Sequence, residues 1–230
     1  MPTGSSRRGI RHPSGERAPP PTPPPKKKKN TPRTERETRM SSQHTVSVLV
    51  GSLRAGSFAR KIAKQAITFF PKSWDVKIVE IGHLPLYNFD YDDPAVTDLP
   101  VPEAYRDFRE TIKNSDGILF VTPENNRTIP ACLKNAVDIG SKPNEDVAWK
   151  NKPAGIISHS VGRMGGYSSQ KNLRLALSYF DMPTPGQPEV FLGQSPTLLN
   201  EDGSFNNEAT RDFVAGYVQR FAQLVSETAA

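Results

Sequence analysis

Two hydroxyls, a guanidinium and two glycines fall within residues 51–57 (GSLRAGS). Ser52, Arg54 and Ser57 can together hold a phosphate dianion, because hydroxyl and guanidinium groups donate and a following helix start adds free backbone N–H groups. The glycines let the backbone approach such a ligand closely. The segment is neither GxGxxG nor a phosphate loop ending in GK[ST]. A plainer reading of the same residues has Ser57 capping a helix and Arg54 in solvent. Residues 122–130 (TPENNRTIP) are polar and turn-prone. They can present backbone N–H and C=O groups to the edge of a planar heterocycle, or form an ordinary connection punctuated by prolines. Residues 158–166 (SHSVGRMGG) carry three glycines that permit a tight backbone wrap.

Other residue types invite chemistry with less support. His83 and His159 are candidates for proton transfer, and His159 lies inside the third of these segments. A histidine whose nitrogens are satisfied structurally is the expectation for both. Cys132 is the single cysteine, and a free cysteine is often a small buried residue. Asp90, Asp92 and Asp93 lack the spacing and glycine of a calcium loop, so a solvated acidic loop is expected and no metal site.

The three segments need elements to position them. Residues 45–50 (TVSVLV) are β-branched and apolar and end at Gly51, which predicts a buried parallel strand. Further strands are predicted at 75–81, 117–122, 153–158 and 188–192. Helices are predicted at 57–70, 103–114, 129–141, 166–180 and 207–225, with a long loop over 85–102. Alternating strands and helices imply βαβ units in a doubly wound, five-stranded parallel sheet. All three polar segments then follow the carboxyl ends of strands, where open α/β sheets bind ligands.

Composition narrows the class. The 230 residues hold 30 Lys+Arg and 24 Asp+Glu, a net charge of +6. The excess is local: residues 1–40 contain 11 basic and 3 acidic residues, and the remainder is slightly acidic. Bulk charge therefore gives the folded part no reason to bind nucleic acid or anionic lipid. Nine of the 22 prolines also lie in the first 40 residues, where too few apolar side chains exist to offset the entropy of ordering. Residues 1–44 are expected to be a disordered, basic, proline-rich extension, and residues 45–230 one domain. The extension reads as a basic arm, a proline-rich ligand, or a leader with Met40 as the alternative start. One cysteine excludes an intramolecular disulfide, and no run of about 20 apolar residues exists for a membrane helix. With no secretory h-region either, the cytoplasm is the expected compartment.

Taken together, the stretches VLVGSLRAGSFARKIA, TPENNRTIPACLKNAVDIGSKP, KPAGIISHSVGRMGG and LSYFDMPTPGQPEVFL resemble the NADPH-dependent FMN reductase family. That flavodoxin-like group includes quinone, azo-dye and chromate reductases. The resemblance covers residues 46–225. It implies the strand order 2-1-3-4-5, a tight non-covalent FMN, and NADPH or NADH as co-substrate. It further implies hydride passed through FMN to a quinone or similar small acceptor by a ping-pong mechanism. Cofactor contacts carry over to Ser52, Arg54, Ser57 and Phe58; to Pro123, Glu124, Asn125 and Asn126; and to Ser158, Gly162, Gly165 and Gly166. No protein residue is needed as a catalytic acid or base, since the flavin carries the chemistry. A homodimer or homotetramer is implied. Asn125 and Arg127 stand where the family has aromatic residues, and Ile139 stands where it often has Trp. Fewer aromatics mean less stacking, and Arg127 becomes a contact for NADPH or substrate, or a solvated cation. Two other readings are a flavodoxin-like electron carrier without NADPH turnover, and a protein that binds nucleic acid or a partner through its basic tail.

Overall fold

The structure is a computed structural model that describes residues 44–229. The predicted N-terminal extension lies, but for His44, outside the described residues. Five strands form one parallel sheet in the order β2-β1-β3-β4-β5. They are β1 (Thr45–Val50), β2 (Asp75–Val79), β3 (Gly117–Pro123), β4 (Ala154–His159) and β5 (Val190–Leu192). Between and after them run α1 (Phe58–Ile67), α2 (Glu103–Lys113), α3 (Ala131–Gly140), α4 (Tyr167–Ser178) and α5 (Glu208–Ala229). This is the flavodoxin-like order, and every predicted element is present with its ends moved by a few residues.

The strands read as unbroken apolar runs because both faces are covered. Alternate residues of each strand enter opposite cores. Leu49, Ile118, Phe120 and Ile156 pack against α2, α3 and α4 through Tyr105, Leu133 and Leu173. Val48, Leu119, Val121 and Ile157 pack against α1 and α5 through Ile62, Tyr217 and Phe221. Each such fully buried aliphatic side chain contributes roughly 1.5–3 kcal/mol of transfer free energy. Tyr217 also donates no surface to water: its hydroxyl accepts the Ile156 N–H at 2.6 Å, and burial pushes its pKa up to about 12.

The long loop departs from expectation. Residues 89–92 form a short 3-10 helix, and Asp92 is not solvated. Its carboxylate takes two hydrogen bonds from Arg109 of α2, at 2.8 and 2.6 Å. Both side chains are more than nine-tenths buried, at 6% and 4% exposure. The Arg109 Nε donates to the Ile139 carbonyl at 2.8 Å. Asn135 of α3 holds the same loop, accepting the Tyr87 N–H at 2.8 Å and donating to the Pro85 carbonyl at 2.9 Å. Of the three aspartates Asp90 is exposed and Asp93 is partly buried, and among the described residues no group of His, Cys, Asp and Glu is arranged to hold a metal.

The site is positioned by the reversal of strand order. From β1 the chain builds outward to β2, then crosses back to β3 on the other side. The β1 and β3 exits diverge there and leave a crevice at the carboxyl edge. Gly51 sits at its floor, donating to the Val121 carbonyl at 2.9 Å. A Cβ at Gly51 would lie 2.9 Å from the Thr122 hydroxyl and 3.2 Å from Leu133, so this approach of loop to strand requires glycine.

Candidate functional site

A cleft of about 690 Å³ opens at that crevice, and all three polar segments contribute to its walls. The β1–α1 loop supplies Ser52, Leu53, Arg54, Ser57 and Phe58. Ser57 is the N-cap of α1, and its hydroxyl accepts the Arg60 N–H at 3.2 Å. The plain reading of Ser57 is therefore true, and it does not exclude the other. A hydroxyl accepting at one lone pair still has a proton to donate. The first turn of α1 holds no acidic residue, and its leading N–H groups at Phe58 and Ala59 have no carbonyl partner in a helix. The neighbouring ion pairs join Arg60 to Glu80 and Arg127 to Glu124. Arg54 is left exposed on the cleft wall. The arrangement is a positive end suited to an anion.

The β3–α3 segment supplies Pro123, Glu124 and Asn125 to the cleft. Asn126 is turned to an adjoining pocket of about 430 Å³, shared with Asn125, Ala131 and Lys134. Asn125 and Thr128 exchange backbone hydrogen bonds at 3.1 and 3.0 Å around Asn126 and Arg127. Both central residues have positive φ, 48° and 65°, which defines a type I′ turn. Arg127 stands at its tip, with a side chain 77% exposed and 3.8 Å from Glu124.

Glu124 has a structural role that its motif does not reveal. Its carboxylate accepts the N–H groups of Ser168 and Ser169 at 2.9 and 3.3 Å. These begin α4, whose N-cap residue is Gly166, with no side chain to do so. Glu124 is thus a remote cap with its charge at the favourable end of the helix dipole. Glu124→Ala is expected to lower stability by about 1–2 kcal/mol, and Glu124→Gln by about half of that. Thermal melts of the two variants check this; equal melting temperatures would remove the capping role.

From the β4–α4 loop the cleft receives His159, Ser160 and Val161, and none of the four residues named from this segment. The Ser158 hydroxyl is buried and donates to the Gly165 carbonyl at 2.8 Å. Gly165 has φ +62°, and a Cβ there would lie 2.5 Å from the backbone of Phe191. The glycine-rich wrap packs the loop on β5, and Gly162 lies in open surroundings. Pro130, Ala131 and Cys132 complete the wall from the start of α3. They were missed because nothing in their types marks a ligand. Cys132 is half-buried, and burial pushes its thiol pKa up, which keeps it a poor nucleophile. Ile139 is fully buried in the core and is not among the cleft residues, so its difference from the family pattern does not alter the cleft wall.

His159 contradicts its expectation. It is buried at 5% exposure, yet neither ring nitrogen has a hydrogen-bond partner. Burial alone lowers its pKa to about 4. Its ring meets that of Phe58 edge-on, with centroids 6.5 Å apart and planes at 73°. His83, in contrast, is exposed.

Comparison with known proteins agrees with this geometry. The family model for NADPH-dependent FMN reductase matches residues 44–197. A quinone reductase of Pseudomonas putida is 44% identical over 186 residues, covering 81% of this chain and 97% of its own length. A 2-hydroxy-1,4-benzoquinone reductase of Burkholderia sp is 36% identical over 182 residues, covering 79% and 96%. Among solved structures, the flavoenzyme NAD(P)H:(acceptor) oxidoreductase FerB of Paracoccus denitrificans superposes with a TM-score of 0.72 at 32% identity, over 80% of this chain and 98% of that one. With that match over most of its described length and a cleft built at the sheet's switch point, the chain belongs to the NADPH-dependent FMN reductase family, enzymes that use FMN and NAD(P)H.

Proposed function

We propose that this cleft is the FMN site and that the enzyme transfers electrons from NAD(P)H to a quinone-type acceptor in ping-pong fashion. The observation that carries the reading is the positive end of α1 opening into a cleft of about 690 Å³. Ser52, Arg54 and Ser57, with the Phe58 and Ala59 N–H groups, would hold the cofactor's phosphate. Pro123, Asn125 and the Glu124 backbone would border its ring, with Asn126 just outside. Ser158, Gly162, Gly165 and Gly166 would act through the shape of their loop rather than by contact. Bound FMN would supply the hydride chemistry. The protein's residues bind, orient and exclude water. Use of the one cleft in turn by both substrates would give ping-pong order, and the relatives' names support a quinone as the acceptor.

Residues 45–230 would be the active domain, with residues 1–44 an extension outside it. Among the described residues no helix is long and apolar enough to cross a membrane. We assign the enzyme to the cytoplasm, where a free Cys132 is at home. A homodimer or homotetramer is supported by Leu175 on α4 and Tyr179 at its C-cap, 73% and 85% exposed. The exposed tip at Arg127 favours contact with NADPH or the acceptor.

Anaerobic addition of NADPH to the purified chain tests the reading. Flavin absorbance that bleaches promptly and returns with quinone supports it. Flavin bands that persist would turn the assignment toward an electron carrier. Arg54→Ala is expected to raise the FMN dissociation constant roughly 10–100-fold, the value of a hydrogen bond to a charged group. Undiminished FMN retention would displace the phosphate from this loop.

A further inference from the structure

His159 is the one side chain on the cleft wall that is almost wholly buried, polar and unpartnered. A neutral imidazole carries one donor and one acceptor. Leaving such groups buried and unmade costs about 1–3 kcal/mol each, so a structural role should have provided partners. None is provided by the titratable residues of the surrounding segments: Arg54 in the β1–α1 loop, Arg60 and Lys61 on α1, Glu124 after β3, Cys132 on α3 and Arg163 in its own loop. The ring lies beside the start of α1, and its backbone is in register with Pro123 of β3. Its neighbour Phe58 directly follows the N-cap Ser57, at the positive end of α1.

We propose that His159 is a binding residue of the cleft, donating a hydrogen bond from its ring to the phosphate-bearing end of FMN. The inference rests on the reading of the cleft as the FMN site. Both nitrogens lie beneath the surface, and Phe58 is the side chain packed against the ring. The proposed contact therefore requires the Phe58 side chain to shift when the ligand is seated. The same uncovering explains why a polar group is kept at an energetically unfavourable place: it is satisfied when the cofactor is seated.

The rival is a buried water shared with the Ser195 hydroxyl, which also lacks a partner and whose N–H donates to the Ser160 carbonyl at 3.0 Å. Binding and stability separate the two. The full chain, stripped of flavin, is titrated with FMN and with riboflavin while flavin fluorescence is followed. His159→Phe is expected to weaken FMN binding about tenfold or more and to leave riboflavin binding within about twofold. Its flavin-free melting temperature should equal or exceed that of the unaltered chain, because two unmade hydrogen-bonding groups are gone. His159→Gln, which keeps a donor, should recover most of the FMN affinity. Unchanged FMN affinity in His159→Phe would overturn the proposal. So would a lower melting temperature with FMN and riboflavin weakened alike, the signature of a structural water. Failure of the unaltered chain to bind FMN would overturn the reading of the cleft itself.

Discussion

Asp92→Ala is expected to be strongly destabilising, at about 3–5 kcal/mol. The substitution leaves the Arg109 guanidinium charged and buried at 6% exposure, with its Nε bond to the Ile139 carbonyl and the face of the Tyr105 ring as its remaining partners. Desolvating an ion without its counter-ion is what makes such half-pairs costly. Domains of this size have about 5–15 kcal/mol in total, so the loss is a large share. The urea midpoint should fall with little change in slope. The double variant Asp92→Leu/Arg109→Met should recover much of it, since no charge is then stranded. A midpoint shift worth less than about 1 kcal/mol, as for exposed pairs, would mean that the bidentate contact contributes little to folding.

Acid is the second lever. Unfolded His159 takes a proton near pH 6.5, whereas burial holds the folded residue neutral down to about 4. Between those values the unfolded chain binds a proton that the folded chain refuses. The contribution is fully favourable above about pH 6.5 and is lost as pH falls toward 4, by about 3 kcal/mol in all. Denaturation of the flavin-free chain across this window should show that decline, and His159→Phe should flatten it. Parallel curves for the two proteins would place the acid sensitivity in other groups.

How much of this was legible beforehand depends on the range of the interaction. The strands at 45–50 and 117–122 declared themselves because a doubly covered parallel strand is apolar at every position. Once strands and helices alternate, the topology follows from few alternatives, and the cleft follows from the topology. The acidic loop did not declare itself. Asp92 meets Arg109 from 17 residues away, and nothing local marks either residue as buried. The segment 122–130 was legible as turn-prone, but the type of the turn at Asn125–Thr128 was not: its positive-φ residues are Asn126 and Arg127, with no glycine to announce it. The glycine-rich segment was legible as a wrap, but the packing it serves was not, because Gly165 lies against the backbone of Phe191, far away in sequence. His159 was misjudged since the satisfied histidine is the common case, and only coordinates reveal a nitrogen without a partner.

The tether from Glu124 to the start of α4 has a kinetic consequence. It joins the exit of β3 to the helix that follows the β4 loop, which ties two walls of the cleft to each other. On the third wall Arg54 is exposed, and an anion seated there would be released at a rate that depends on its charge. An exposed guanidinium attracts more weakly as ionic strength rises, so release should quicken in salt while the fold, held by its two dry cores, hardly notices.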